Sequence, residues 1–169
     1  MTDETLISAQ VPDWSREHKP AWRWMPSRSL LASVRAYQHH GASRSPLAAV
    51  ARAVAVLRHR LWSVVTGADI PLNSRLGGGL LLPHPNGIVI HPQAEVGPNC
   101  LIFQQVTLGV GARPGTPRIG GHVDIGAGAK ILGGVVVGDH ARIGANAVVL
   151  DDVPSGATAV GIPARVIAS

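Results

Sequence analysis

From Ile119 onward every sixth residue is a branched aliphatic: Ile119, Ile125, Ile131, Val137, Ile143 and Val149. Self-similarity at so short a period marks a solenoid, and a six-residue period points to a parallel β-helix. Glycine follows the aliphatic at Gly120, Gly126, Gly138 and Gly144, while Leu132 and Leu150 break that second rule. Small residues recur at Ala127, Ala129, Ala141, Ala145 and Ala147. An amphipathic helix is excluded, because this stride drifts around a helix of about 3.6 residues per turn and leaves no apolar stripe.

The stride runs upstream through Ile70, Leu76, Leu82 and Ile88, shifts phase by two residues, and continues through Ile90, Val96, Ile102 and Leu108. One inward aliphatic per hexad suits a coil with three flat faces, roughly 18 residues around, whose side chains stack on the coils above and below. The phase breaks at His84 to Gly87 and again between Leu108 and Ile119, where Gly109, Gly111, Pro114, Gly115 and Pro117 mark an extruded loop. Interruptions of a regular scaffold are where function is usually placed.

Composition agrees with a narrow solenoid. Of 169 residues 46% are hydrophobic, yet Phe103 is the only phenylalanine, so the core must be built from Val, Ile, Leu and Ala. Fifteen Lys and Arg against ten Asp and Glu give a net charge of +5, which attracts anionic partners. The charges form no dense run and lack aromatic interleaving within the repeats, so nucleic-acid binding is not expected and a phosphate-bearing small molecule fits as well. Cys100 is the only cysteine, which excludes an intramolecular disulfide and suits a reducing cytoplasm. The Met1–Glu4 start has no signal-peptide character, and the apolar region from Leu47 to Val65 is interrupted by Arg52, Arg58, His59 and Arg60, so no membrane span is expected.

Two helices are expected before the solenoid. The first runs from about Ser29 to His40, with Leu30, Val34 and Tyr37 on one stripe. The second is capped by Ser45, has Pro46 in its first turn, carries Leu47, Val50, Val54, Leu57, Leu61 and Val65 at helical spacing, and ends at Gly67. Both read as a cap over the first coil, whose bare β-edge would invite aggregation. The expected organisation is thus a mobile arm (1–26), an α-helical cap (27–67) and a β-helix (68–169).

Chemistry needs an activating group. His84 sits in the Pro83-His84-Pro85-Asn86-Gly87 phase break, and Asp69 precedes it by nearly one coil, so the two side chains can meet at one corner. A carboxylate there would orient the imidazole as a general base. The alternative is that His84 decorates a Pro-rich turn and Asp69 caps the break after Gly67. His91, His122 and His140 also lie on the solenoid, and His122 and His140 should stack on one face. No third ligand is spaced to join them, so no metal is assigned.

Several segments together carry a resemblance: Asp69-Ile70, Leu76-Gly77 to Leu82, His84, Gly87 to Ile90, Gln105 to Gly109, Ile125 to Gly133, Ile143 to Ala145 and Val160 to Arg165. Over roughly residues 66 to 167 the chain resembles bacterial serine O-acetyltransferases. That resemblance implies a mainly β fold, a left-handed parallel β-helix of hexapeptide repeats, assembled as homotrimers with acetyl-CoA in the cleft between neighbouring solenoids. It implies that His84 deprotonates the acceptor hydroxyl, that Asp69 holds His84, and that the hydroxyl attacks the thioester directly, placing the enzyme in cysteine biosynthesis. Gly109, Gly126, Ala127, Gly128, Ala129, Lys130, Arg142 and Arg165 match segments that line the CoA site. Cys100 then needs no catalytic role.

The acceptor side departs from that family. Pro83 stands where an aspartate usually precedes the histidine, and Gly115-Thr116-Pro117 precedes Arg118 where the family has Arg-His-Pro before its lysine. Arg113 or Arg118 could replace the missing carboxylate clamp, and a site lacking a partner for a buried charge discriminates against that substrate. The helical part is short, and no long tail with a terminal isoleucine follows Ser169, so a cysteine synthase complex is not expected. Short leaders of this kind resemble exopolysaccharide acetyltransferases such as those acting on colanic acid, which makes a sugar hydroxyl the rival acceptor. The rival from another class is a non-catalytic trimeric scaffold.

Overall fold

Three parallel ladders of very short strands realise the six-residue stride. The computed structural model describes residues 7–20, 22–43 and 45–167. Helices α1 (Pro26–His39) and α2 (Pro46–Thr66) lead into the solenoid. The strands follow as β1 (Arg75–Leu76), β2 (Val89–Ile90), β3 (Glu95–Val96), β4 (Leu101–Ile102), β5 (Thr107–Gly109), β6 (Arg118–Ile119), β7 (Asp124–Ile125), β8 (Lys130–Leu132), β9 (Val136–Val137), β10 (Arg142–Ile143), β11 (Val148–Val149), β12 (Thr158–Gly161) and β13 (Ala164–Ile167). The first face stacks β2, β5, β8 and β11, the second β1, β3, β6 and β9, and the third β4, β7, β10 and β12. Isolated bridges at Asp69, Leu81 and Val153 extend the three faces by one further rung each.

Every aliphatic of the stride points inward. Ile70, Ile90, Leu108, Ile131 and Val149 line the first face, Leu76, Val96, Ile119, Val137 and Val153 the second, and Leu82, Ile102, Ile125, Ile143 and Ala159 the third, none more than 8% exposed. Burying one such side chain contributes about 1.5–3 kcal/mol, so the column of stacked aliphatics dominates the fold's stability. The register locates the phase breaks. Val89 to Thr107 and Lys130 to Val148 are regular 18-residue steps. Asp69 to Val89 takes 20 residues, the two extra lying in the His84 turn. Thr107 to Lys130 takes 23, the five extra lying in the loop after β5.

Two of the three corners turn through the left-handed backbone region. Gly87, Gln105, Gly128 and Asn146 do so between the third and first faces, and Gly79, Asn99, His122, His140 and Gly156 between the second and third. Gly and Asn dominate because a Cβ is crowded at positive φ. Beyond the last coil the chain reverses, and β13 pairs antiparallel to β12, a hairpin the stride gave no sign of.

The helix ends follow the cap residues. The Ser45 hydroxyl accepts from Ala48 N at 3.1 Å, and Gly67, at φ 65, closes α2 with its N–H on Ser63 O. Pro26 opens α1 three residues earlier than the expected Ser29. Leu30 and Leu31 join Ile70, Leu80 and Leu82 in the core, so α1 covers the first coil. The expected role of α2 is corrected. Its apolar stripe stays exposed, and it turns Ala48, Ala55 and Thr66 inward, with His59 and Trp62 half-buried. The reason is that α1 already covers the coil, so α2 meets the core through half-buried Trp62 and is tied to the first face by His59 Nε2 on Ile70 O at 2.8 Å.

The mobile arm is corrected as well, for residues 7–20; residues 1–6 lie outside those described. The segment runs along the corner between the second and third faces. Asn99 Oδ1 accepts from Asp13 N, and its Nδ2 donates to Ser8 O and Val11 O at 2.7–2.8 Å. Glu17 takes Arg35 in an ion pair at 2.9 Å and accepts from Leu80 N, and Arg35 stacks over Trp14 at 5.3 Å. A Cβ on Gly121 would lie 1.8 Å from Ala9 O, so glycine there is a docking requirement. Because glycine keeps the left-handed turn, Asn99→Gly should remove only the side-chain clamp. It is expected to lower stability by about 1–3 kcal/mol and to abolish the exchange protection of the Asp13 amide; unchanged protection would show that the clamp does not hold the segment.

Candidate active site

The turn that breaks the phase at the end of the first coil presents His84. Two prolines fix φ on either side of it, Gly87 turns at φ 68, and Gly87 N donates to Gly67 O at 2.8 Å, tying the turn to the entry of the first face. Asp69 follows that entry, its N–H on Ile88 O and its carbonyl accepting from Ile90 N. Both side chains are exposed and flank the same corner. Among the described residues no hydrogen bond or ion pair joins them, so the orienting contact expected from their spacing is not formed in the single chain.

The same corner, followed up the solenoid, carries Gly126 to Ala129. Its rungs are linked by Gln105 N to Asn86 O, Gly128 N to Gln104 O and Asn146 N to Ala127 O. A Cβ on Gly126 would sit 2.6 Å from Ala145 N, so coil stacking requires glycine there, while Gly128 is favoured by its left-handed φ of 75. Lys130 lies on the first face beside this corner, its Nζ donating to Gln105 O. Gln104, which the sequence reading passed over, has a buried Oε1 with no partner at this edge. The sequence does not single it out, because Asn86, Gln105 and Asn146 carry amides at the same corner. Arg142 is exposed on the third face between Asp124 and Thr158, and Arg165, on β13, stands 3.7 Å from Asp151.

The loop residues lie elsewhere. Gly109 ends β5, its carbonyl accepting from Gly133 N at 2.9 Å, and the loop leaves from the corner between the first and second faces. Arg113 makes a two-pronged pair with Asp152 at 2.7 and 3.3 Å. Asp152 also accepts from Val136 N, and these contacts, the backbone N–H first, hold its carboxyl below the usual range. Thr116 Oγ1 donates to Gln93 O at 3.0 Å. Arg118 is exposed on the second face in register with Glu95, which itself pairs with Arg75. Arg113 is therefore not a free clamp, and Asp152, its anchor, was not anticipated. Within one chain His84, Asp69, Pro83 and Gly126–Lys130 share one edge, whereas Arg113, Thr116 and Arg118 belong to another.

Known proteins share this architecture. The family description Bacterial transferase hexapeptide (six repeats) matches residues 116–151. A serine acetyltransferase of Synechococcus elongatus is 48% identical over 114 residues, 66% of this chain and 47% of that protein. A Brucella abortus serine acetyltransferase solved in complex with coenzyme A superposes with a TM-score of 0.72 at 33% identity, covering 86% of this chain and 57% of the other. Soybean serine acetyltransferase complexed with serine superposes with a TM-score of 0.62 at 34% identity, over 82% of this chain and 70% of that one. The chain belongs to the serine acetyltransferase family. It spans about half the length of the first curated relative it matches. The family's left-handed parallel β-helix agrees with the parallel β-helix expected from the repeats and with the hand that the resemblance implied.

Two features of this family member lie off the candidate edge. Cys100 is fully buried between rungs, and burial pushes its thiol up to about 11. The native thiol should resist alkylation at neutral pH and react fully once the protein is denatured; rapid native labelling would contradict a structural role. His122 and His140 occupy successive left-handed turns, as expected from their spacing, with Nδ1 atoms 2.9 Å apart. Among the described residues no group of three or more His, Cys, Asp or Glu could hold a metal. Burial first, then His140, lowers the His122 pKa, against the opposing pull of Asp124. A base whose folded pKa is depressed binds fewer protons folded than unfolded, so stability is lost as pH falls through its ordinary value near 6.5. Since Asn suits a left-handed turn, His140→Asn should reduce the fall in melting temperature between neutral and mildly acidic pH; an unchanged fall would exclude the pair as its source.

Proposed function

We propose that the chain transfers an acetyl group from acetyl-CoA to a hydroxyl, with His84 as general base and L-serine as the family's default acceptor. The observation that carries this reading is the coincidence of the His84 turn, at a phase break, with the Gly126–Lys130 segment on one solenoid edge, in a chain related to serine acetyltransferases. The His84 imidazole removes the acceptor's proton as the oxygen attacks the thioester carbonyl. The tetrahedral intermediate then collapses to the ester, and the imidazolium returns its proton to the departing CoA thiolate. Asp69 is the positioning residue for His84, reaching it when substrate or a neighbouring copy fills the corner. Glycine and alanine at 126–129 leave room for the pantetheine arm, and Lys130, Arg142 and Arg165 offer charge to its phosphates. The separation of His84 from Arg113, Thr116 and Arg118 supports a homotrimer in which one copy's loop reaches its neighbour's His84 edge. Dependence on acetyl-CoA supports a cytoplasmic location, and serine as acceptor would place the reaction in cysteine biosynthesis.

One observation favours a second acceptor. Pro83 supplies no charge beside His84, Thr116 is engaged by Gln93 O, and Arg113 is engaged by Asp152. A zwitterionic amino acid therefore finds few partners, and a sugar hydroxyl needs none of them. Thiol release from acetyl-CoA should be measured with L-serine and a panel of sugars for wild type and His84→Ala. The substitution is expected to lower kcat about 10²- to 10⁴-fold with little change in KM for acetyl-CoA. Turnover on serine selects the first acceptor and turnover on sugars alone the second; no turnover on either would leave a scaffold without catalysis, and a His84→Ala rate equal to a measurable wild-type rate would remove His84 as the base.

A further inference from the structure

The amphipathicity of α2 is inverted. Leu47, Val50, Val54, Leu57, Leu61 and Val64 recur at alternating steps of three and four residues and form one stripe, yet they are 48–84% exposed. The face turned to the protein is the poorer one, built from Ala48, Arg52, Ala55, His59, Trp62 and Thr66. Six large aliphatics in one continuous exposed row exceed the scattered apolar residues of an ordinary surface and indicate an unsatisfied contact.

Charge identifies the partner. Eight of the 15 Lys and Arg lie between Glu17 and Asp69, and none of the 10 Asp and Glu does. On a helical wheel Arg58 and Arg60 flank the stripe on opposite sides, and both are exposed. Trp22 and Trp24 are 86% and 72% exposed on the segment leading into α1, and Trp24 meets Trp62 of α2 edge-on at 5.4 Å. An apolar helical stripe between cations, with exposed tryptophans and no acidic residue in the sequence between Glu17 and Asp69, matches the interfacial zone of an anionic bilayer, where apolar side chains enter the acyl boundary and guanidinium groups meet lipid phosphates. A second copy would instead bring two wholly cationic helical units together. No helix among the described residues is long and apolar enough to cross a membrane, so the contact is a surface one.

We propose that the exposed face of α2, with Arg58, Arg60 and the neighbouring tryptophans, docks the protein on an anionic membrane surface. This does not depend on the acceptor or on the His84 chemistry. The full-length protein is sedimented with vesicles of phosphatidylcholine alone and of phosphatidylcholine mixed with phosphatidylglycerol, at low and high salt, alongside Leu57→Asp/Leu61→Asp and Arg58→Glu/Arg60→Glu. Circular dichroism checks that each variant folds, which the exposure of all four side chains favours. Binding to the mixed vesicles is expected to exceed binding to the neutral ones by roughly tenfold or more, to weaken with salt, and to be lost in both double variants. Equal partition onto both vesicle types, or binding unchanged in the leucine variant, would overturn the proposal. So would light scattering in which wild type is twice the mass of the leucine variant without binding vesicles, since a second copy would then cover the stripe.

Discussion

Registration of one coil on the next is the constraint on which the rest of the molecule depends. Each strand is two to four residues long, too short to persist alone, and gains its place only from parallel partners on the coils above and below. The inward aliphatics make that registration unique, because a slip of one residue would turn a ladder of Ile, Val and Leu toward water. The glycines after those aliphatics serve the same end. A Cβ on Gly120 would fall 2.7 Å from Asp139 N, closer than stacked coils allow. Stability and geometry therefore share one source, and a side chain on any corner is held wherever the core column puts it.

On such a scaffold, departures from the repeat become visible as chemistry. The two-residue excess at His84 widens one corner of the first coil, and the five-residue excess after β5 throws a loop from another. Neither insertion disturbs the column, because the chain returns to phase at Ile90 and at Ile119. Insertions at corners alter what the surface presents while the core is unaware of them. That separation is how a stiff prism carries a base on one edge and a polar loop on the next.

Much of this was legible in the sequence because a strict period is a strong signal. The inward ladders, both phase breaks, the capping of α2 by Ser45 and Gly67, and the stacking of His122 on His140 all follow from counting residues. What escaped were contacts with no period. The Asn99 clamp joins residues far apart in the chain, Asp152 captures Arg113 across 39 residues, and the β12–β13 hairpin begins where the stride stops. The stripe of α2 misled in a different way. Helical spacing shows that a face is apolar, not which side of the helix the protein will cover, and α1 had already occupied the first coil. At the candidate site, spacing brought Asp69 and His84 to one corner but could not supply their contact, which depends on side-chain rotamers rather than register.

The docking of residues 7–20 has a consequence for the order of events during synthesis. Gln10 bonds Asp139 across 129 residues, while Glu17 meets Leu80 N across 63. The segment is thus made well before its partners, and the Gln10 side chain must wait for the fourth coil to leave the ribosome before it meets Asp139. Until then the corner formed by Gly78, Gly79 and Gly121 is a bare groove on a growing prism. Contacts of such long sequence separation slow folding, so the final seating of this strap should lag behind the zipping of the coils beneath it.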